Sequence, residues 1–290
     1  MLSVPQKMFL ARCLNRSLRF ARGLVGRDMH VRCRRHGIEW ELDLDEGIDL
    51  SIYLLGAFEP RVLRAYTPLI PPGATIFDIG ANIGAHTLHF ARLAGPAGRV
   101  FAVEPTDYAV AKLRRNLELN PALSPRVTLR QCFLAADRST KPPAEVPSSW
   151  PVGDGYTNPR EGAVGRFQPA TGAVATTADD FCAAAGVDRI DFVKIDVDGN
   201  EYSVLTGFGA SLARFRPSIL IELAPYQYDG GKEDEFDEIV RFLAKLDYDF
   251  TDASNGRPIP SDPAELRRLV VPIAGINALL IPRAGQSGRI

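Results

Sequence analysis

The stretch Thr75–Phe90, TIFDIGANIGAHTLHF, decides the reading of this chain. An apolar run ends in a carboxylate, Asp78; Gly80, Asn82 and Gly84 follow, and a helical pattern begins near Gly84. A glycine turn between a strand and a helix usually holds a ligand, because small residues let it approach the backbone and the free N–H groups of the helix favour an anionic group. The spacing here is GxNxG, not the GxGxxG of dinucleotide turns. Asp78 would repel a pyrophosphate and attract a cation. The turn therefore suits a ligand with one anionic and one cationic end, such as the amino-acid part of S-adenosylmethionine.

Strands and helices alternate from this point. Apolar strands are expected at 75–80, 99–104, 126–133, 190–196 and 218–223, and a last one at 275–281 (GINALLI). Helices are expected at 84–94, 106–119, 179–185, 200–212 and 234–246, the last from the stripe Phe236, Ile239, Val240, Leu243 and Leu246. Such a pattern predicts an α/β protein with a mainly parallel sheet covered on both faces, its ligands at the carboxyl ends of the strands. Pro71-Pro72-Gly73 divides the chain into an N-terminal extension, 1–70, and a main domain, 71–290. The extension contains a basic helix and a hairpin about His36-Gly37, with Ile38, Trp40, Leu42 and Leu44 on one side. Residues 138–173 break the rhythm. They are rich in Pro, Gly and Ser without periodicity, which reads as a structureless lid or surface loop beside the ligand edge. There Trp150, Tyr156, Asn158 and Arg160 are candidates to face a substrate.

The strand ends carry the chemistry. Glu104 lies 20 residues after Gly84 (104 − 84), at the tip of the second strand, where an acid takes the two hydroxyls of a ribose. Lys194 and Asp196 are two apart and share a strand face. Charges at the end of an inner strand are costly unless they serve a purpose, so Asp196 is a candidate to orient a substrate, accept its proton or bind a metal. Asp198 and Glu201, three apart at a helix start, read as a capping box with a structural role. Glu222 ends the fifth strand, where it would either share a cleft with Asp196, as a base or a metal ligand, or pair with Lys194. His86 and His89 sit three apart on one helix, but the helix packs on the sheet and no third metal ligand is placed, so hydrogen-bonded core histidines are expected.

The bulk composition excludes several classes. The chain has 290 residues and a formal net charge of −1, with 46% hydrophobic and 24% charged residues, as in globular proteins. Cys13, Cys33, Cys132 and Cys182 form no CxxC pair, which argues against a zinc site or a disulfide framework and suits a reducing cytoplasm. No run of about 18 apolar residues suggests a membrane span. Positive charge is concentrated at the start: up to Arg35 the only acid is Asp28, against Lys7 and eight arginines. Arg12, Arg16 and Arg19 share a helical face, with Phe9, Leu10, Leu14, Leu18 and Phe20 to another side. Such a helix either packs on the domain with its arginines in water or touches an anionic membrane, so the location is cytoplasmic with membrane association at the N-terminus as an option. The rest of the chain lacks the basic, aromatic-rich pattern of a nucleic-acid surface.

Taken together, FDIGANIGAHTLHFA, VEP, Asn116 in RRNLELN, VKIDVDGNEYSVLTG, RPSILIEL and the upstream AFEP at Ala57–Pro60 resemble the FkbM family of S-adenosylmethionine-dependent methyltransferases. The resemblance runs from about residue 45 to the C-terminus, and 138–173 carries little of it. It implies a Rossmann-like class I methyltransferase fold, seven-stranded with the last strand antiparallel. It implies that Asp78, Gly80, Asn82 and Gly84 cradle the methionine part and Glu104 the ribose, with Glu59 as a further site residue. It also implies O-methylation of a hydroxyl on a sugar, glycolipid or other natural product. For such a reaction the residues themselves make Asp196 the expected base or orienting acid, with Lys194 and Glu222 setting its charge. Two departures stand out: His86 replaces a common aromatic, and Leu223 follows Glu222 where some related O-methyltransferases complete a metal site, which puts a divalent metal in doubt. A nucleotide-dependent oxidoreductase and a nucleic-acid methyltransferase are the alternatives; the oligomeric state is open.

Overall fold

The computed structural model describes residues 3–153 and 165–283, so Tyr156, Asn158 and Arg160 lie outside the described residues. At its centre is a seven-stranded sheet. Its strands, numbered in chain order, are β1 Thr75–Ile79, β2 Arg99–Val103, β3 Val127–Arg130, β4 Phe192–Ile195, β5 Ser218–Leu223, β6 Tyr248–Asp252 and β7 Ile276–Pro282. In space they run 3-2-1-4-5-7-6. β1 to β5 are parallel, and β7 lies antiparallel between β5 and β6. The order reverses between β1 and β4, so the β1 and β4 ends flank the crevice where such sheets bind ligands.

The apolar side chains of each central strand alternate between two cores. In β1, Phe77 and Ile79 join Val193, Ile195 and Ile221 on one face. Ile76 joins Phe90, Val100 and Phe192 on the other, together with Ile38, Trp40 and Leu42 of the N-terminal hairpin. That hairpin pairs His30–Arg35 with Ile38–Asp43. Its second strand presents an unpaired edge, which two amides of the helix Asp107–Glu118 and its C-terminal turn satisfy. Asn116 accepts from Glu41 N–H at 3.1 Å and donates to Ile83 O at 3.0 Å; Asn120 accepts from Glu39 N–H at 3.0 Å and donates to Glu39 O at 2.7 Å.

Five sequence expectations change. The helix after the glycine turn begins at Thr87, not near Gly84. The run 126–133 divides at Gln131: β3 stays in the sheet while Cys132–Leu134 pairs in parallel with Val174–Thr176. Helix 200–212 is two helices, Glu201–Thr206 and Gly209–Phe215, broken where a Cβ on Gly207 would lie 2.2 Å from Ala135 O. β6 is an added strand, whose sequence YDFTD is polar at alternate positions because it forms the sheet edge. The described part of 138–173 is not structureless: Glu145–Ser149 pairs antiparallel with Arg166–Pro169, bulged beside Pro147.

This inserted hairpin is fixed to the N-terminal extension. Gly47 N–H donates to Trp150 O at 2.9 Å and Val152 N–H to Asp45 O at 2.7 Å. Trp150 N–H donates to Glu46 Oε2 at 3.0 Å. The helix Val4–Gly23 lies on the same region through Asn15, whose amide donates to Leu44 O at 2.7 Å and Asp45 Oδ1 at 2.9 Å. Among the described residues no helix is long and apolar enough to cross a membrane.

Burial pushes the Glu46 carboxyl up to about 7, against the opposing charge of Lys112. The folded chain thus holds this proton more tightly than the unfolded chain. The stability it contributes is complete below the unfolded value of 4.5 and is lost as pH rises through about 7. Glu46→Gln keeps an acceptor for Trp150 and removes the ionisation. It is expected to match wild type near pH 4 and to be about 1–3 kcal/mol more stable near pH 8, as thermal melts at both pH values would read.

Candidate active site

The turn after β1 is built for contacts within the chain. Gly80 has φ +79°, and a Cβ there would sit 1.8 Å from the backbone oxygen of Asp196. Gly84 has φ +90°, and its Cβ would meet Leu113 Cδ1 at 2.4 Å. The glycines therefore make room for the backbone after β4 and for the Asp107–Glu118 helix, a steric need that the sequence did not reveal. Gly80, Ala81 and Asn82 do line a cavity of about 960 Å³, but Asp78 and Gly84 do not. Asp78 is buried beneath the turn, where it accepts from Thr87 Oγ1 at 2.5 Å.

Glu104 faces the same cavity. Its Oε1 accepts from Thr106 N–H at 3.1 Å and Thr106 Oγ1 at 2.5 Å, and its Oε2 accepts from Asn82 N–H at 3.0 Å. These bonds fix the carboxylate, and Oε2 keeps acceptor capacity for a further hydroxyl. Asn82, in the left-handed region at φ +47°, also donates from Nδ2 to Ser148 O at 3.0 Å. The glycine turn, Glu104 and the inserted hairpin thus form one hydrogen-bonded rim, with Val146, Pro147, Ser148 and Trp150 lining the cavity.

The far wall is a cluster of acids. Asp196, Asp198 and Glu222 each bring an oxygen within 4.8 Å of the others. Lys194, buried at the end of β4, places Nζ 3.1 Å from Asp196 Oδ2, 3.4 Å from Gly80 O and 3.9 Å from Asp78 Oδ1. Burial alone would weaken this ammonium, but the charges of Asp196, Asp78 and Glu59 hold its pKa above the ordinary lysine value. Burial, then repulsion by Asp196 and neighbouring acids, pushes the Asp198 and Glu222 carboxyls well above the carboxylate range. Glu59 reaches the cavity from the other side, in the left-handed region at φ +45°. It makes no helix cap; its Oε1 accepts from Asn277 Nδ2 at 3.0 Å, and burial raises its pKa.

The expected capping box is not formed. Glu201 does bind backbone, accepting from Val197 N–H at 3.0 Å and Gly199 N–H at 3.1 Å, but the residue preceding its helix is Asn200. Asp198, at φ +51°, lies outside the helix and lines the cavity beside Asp196. It is the site residue that the sequence pattern hid, because D-x-x-E at a helix start has the same spelling whether or not the aspartate caps. The histidines also differ from expectation. His86 lines the cavity and shares a 3.0 Å hydrogen bond between Nδ1 and Tyr66 OH, while its Nε2 has no partner among the described residues. Among the described residues His89 has no partner on either ring nitrogen; it packs against His36 and Trp40, with burial lowering its pKa to about 4. The two rings serve different surroundings.

The strand order 3-2-1-4-5-7-6, its antiparallel seventh strand and the cavity at the β1, β2, β4 and β5 tips define a class I methyltransferase fold. Comparison with known proteins agrees: the model of the methyltransferase FkbM domain matches residues 78–250, more than half the chain. The chain belongs to the FkbM methyltransferase family. It is 32% identical over 161 residues to methyltransferase sdnD of Sordaria araneosa, a match covering 48% of this chain and 61% of that protein. It is 28% identical over 156 residues to 2-O-methyltransferase NoeI of Sinorhizobium fredii, covering 50% and 61%. It is 31% identical over 175 residues to 31-O-demethyl-FK506 methyltransferase FkbM of Streptomyces tacrolimicus, covering 52% and 65%. The matches therefore span under two thirds of each relative.

Gly80→Ala would force a methyl group into the Asp196 carbonyl at a left-handed φ. It is expected to cost more than about 3 kcal/mol and to lower the yield of folded protein, as chemical denaturation would measure.

Proposed function

We propose that the chain is an S-adenosylmethionine-dependent O-methyltransferase that acts on a hydroxyl of a sugar, glycolipid or other small-molecule natural product. The observation that carries this reading is the charge of the cavity. Glu59, Glu104, Asp196, Asp198, Glu222 and Asp252 line it, against Lys7, Arg61 and Lys194, among the described residues. An acid-rich pocket fits a cofactor with sulfonium and ammonium groups and disfavours the pyrophosphate of a dinucleotide. Glu104 would hold the ribose, and the Gly80–Asn82 backbone the methionine end. When bound, the cofactor supplies an electrophilic methyl group. The family membership and the relatives' names support methyl transfer; the 2-O and 31-O positions in those names support oxygen as the acceptor.

The chain's own part is alignment and removal of the hydroxyl proton. Asp196 has about a quarter of its side chain exposed (27%) and is held by Lys194, so it is the group placed to receive that proton. Asp198 and Glu222 beside it have raised proton affinity and would share the proton. Three converging carboxylates also form an oxygen set that a divalent cation accepts. The fixed Lys194 ammonium already neutralises part of their charge, so the proton-sharing reading is preferred and activity is expected to survive EDTA. Loss on chelation, restored by magnesium or manganese, would give the cluster to a metal.

Three measurements test the assignment. S-adenosylhomocysteine is expected to raise the melting temperature where NAD does not; a shift with NAD alone overturns the reading. In a methyl-transfer assay over a panel of hydroxylated glycans and lipids, Asp196→Asn is expected to lower kcat by about 10²–10⁴-fold while still binding S-adenosylhomocysteine. Glu104→Ala is expected instead to weaken cofactor affinity by calorimetry, by about tenfold or more for the lost charge-assisted bonds.

A further inference from the structure

We infer that the outer face of the N-terminal helix docks on an anionic lipid bilayer and brings the mouth of the cavity against the lipid headgroups. The helix Val4–Gly23 has two apolar faces. One is used: Met8, Ala11 and Leu18 pack on the core around the buried amide of Asn15. The other stands in water. Phe9 is 67% exposed, Phe20 71%, Leu10 49% and Leu14 54%. Leu54 and Leu55 of the neighbouring helix Gly47–Leu55 continue the surface at 42% and 62%. Large apolar groups exposed together on one helix and its neighbour mark an interaction surface.

Two features select the partner. First, between Val4 and Arg27 the sequence has six basic residues and no acid. Lys7 and Arg12 are exposed on this helix, beside the apolar groups. Apolar side chains flanked by positive charge suit an interface where acyl chains lie under anionic headgroups. A second copy meeting this face about a two-fold axis would set one basic helix against the other. Second, four of the exposed leucines belong to the candidate active site as well. Leu10, Leu14, Leu54 and Leu55 are exposed and also line the cavity, as does Lys7. A surface that covered the patch would therefore cover the cavity mouth. The docking inference does not depend on the chemistry proposed for the cavity.

Sedimentation of the full chain with vesicles tests it. Wild type is expected to pellet with vesicles of phosphatidylcholine and phosphatidylglycerol, progressively less as salt rises, and to stay in solution with phosphatidylcholine alone. Phe9→Ser/Phe20→Ser alters two exposed side chains outside the cavity lining. It is expected to bind the anionic vesicles about tenfold more weakly, with an unchanged thermal melt. Absence of wild-type binding, equal binding to both vesicle types, or unaltered binding by the double variant would overturn the inference. So would a dimer in sedimentation velocity that the double variant loses, since the face would then belong to a second copy. Calorimetry with S-adenosylhomocysteine on both proteins reports separately on the cofactor reading.

Discussion

A single buried ammonium organises the centre of this molecule. Lys194 on β4 stands in register beside Asp78 on β1, and its Nζ also reaches Gly80 O and Asp196. Three polar groups from the two strand ends thus converge on one cation where the sheet order reverses. Taking a lysine out of water is expensive, and removing one member of such a set leaves the rest uncompensated. The turn after β1, the close approach of Gly80 to the Asp196 carbonyl and the position of the Asp196 carboxylate are therefore one geometric unit. The pocket inherits its floor from it.

Around that unit the fold gathers more acidic than basic side chains. Asp198, Glu222 and Glu59 are all driven toward the protonated form by burial and then by the charge of Asp196. A pocket of this kind accepts positive charge readily and a released proton almost as readily, which are the two demands of methyl transfer from a sulfonium to a hydroxyl. The opposite rim is hydrogen-bonded: Glu104 is clasped by Asn82 and Thr106, and Asn82 by the inserted hairpin. The insertion is thus a structural part of the Glu104 side of the pocket.

Much of this was legible in the sequence, for identifiable reasons. A carboxylate at the end of an apolar strand is conspicuous, so Asp78, Glu104, Asp196 and Glu222 stood out, and the strand series gave the sheet. Asp198 was hidden because its spacing to Glu201 mimics a cap, and only its left-handed backbone turns it to the cavity. The clasp of Asn277 on Glu59 joins residues 218 positions apart, which no local pattern reveals. The inserted hairpin was obscured by Pro147 and Pro169 in its own strands, and β6 by the polar alternation of a sheet edge.

The N-terminal helix adds a different lesson, because its orientation rests on Asn15. Side chains on a helix are set about 100° apart, so one buried position fixes the direction of all the others. The amide of Asn15 claims the inward direction for its bonds to Leu44 and Asp45, and Phe9 and Phe20 are left on the far side. A polar residue has taken the seat that a phenylalanine would ordinarily occupy. In effect the asparagine is a rotational lock, and moving it by one position along the helix would turn a different stripe of the cylinder to the solvent.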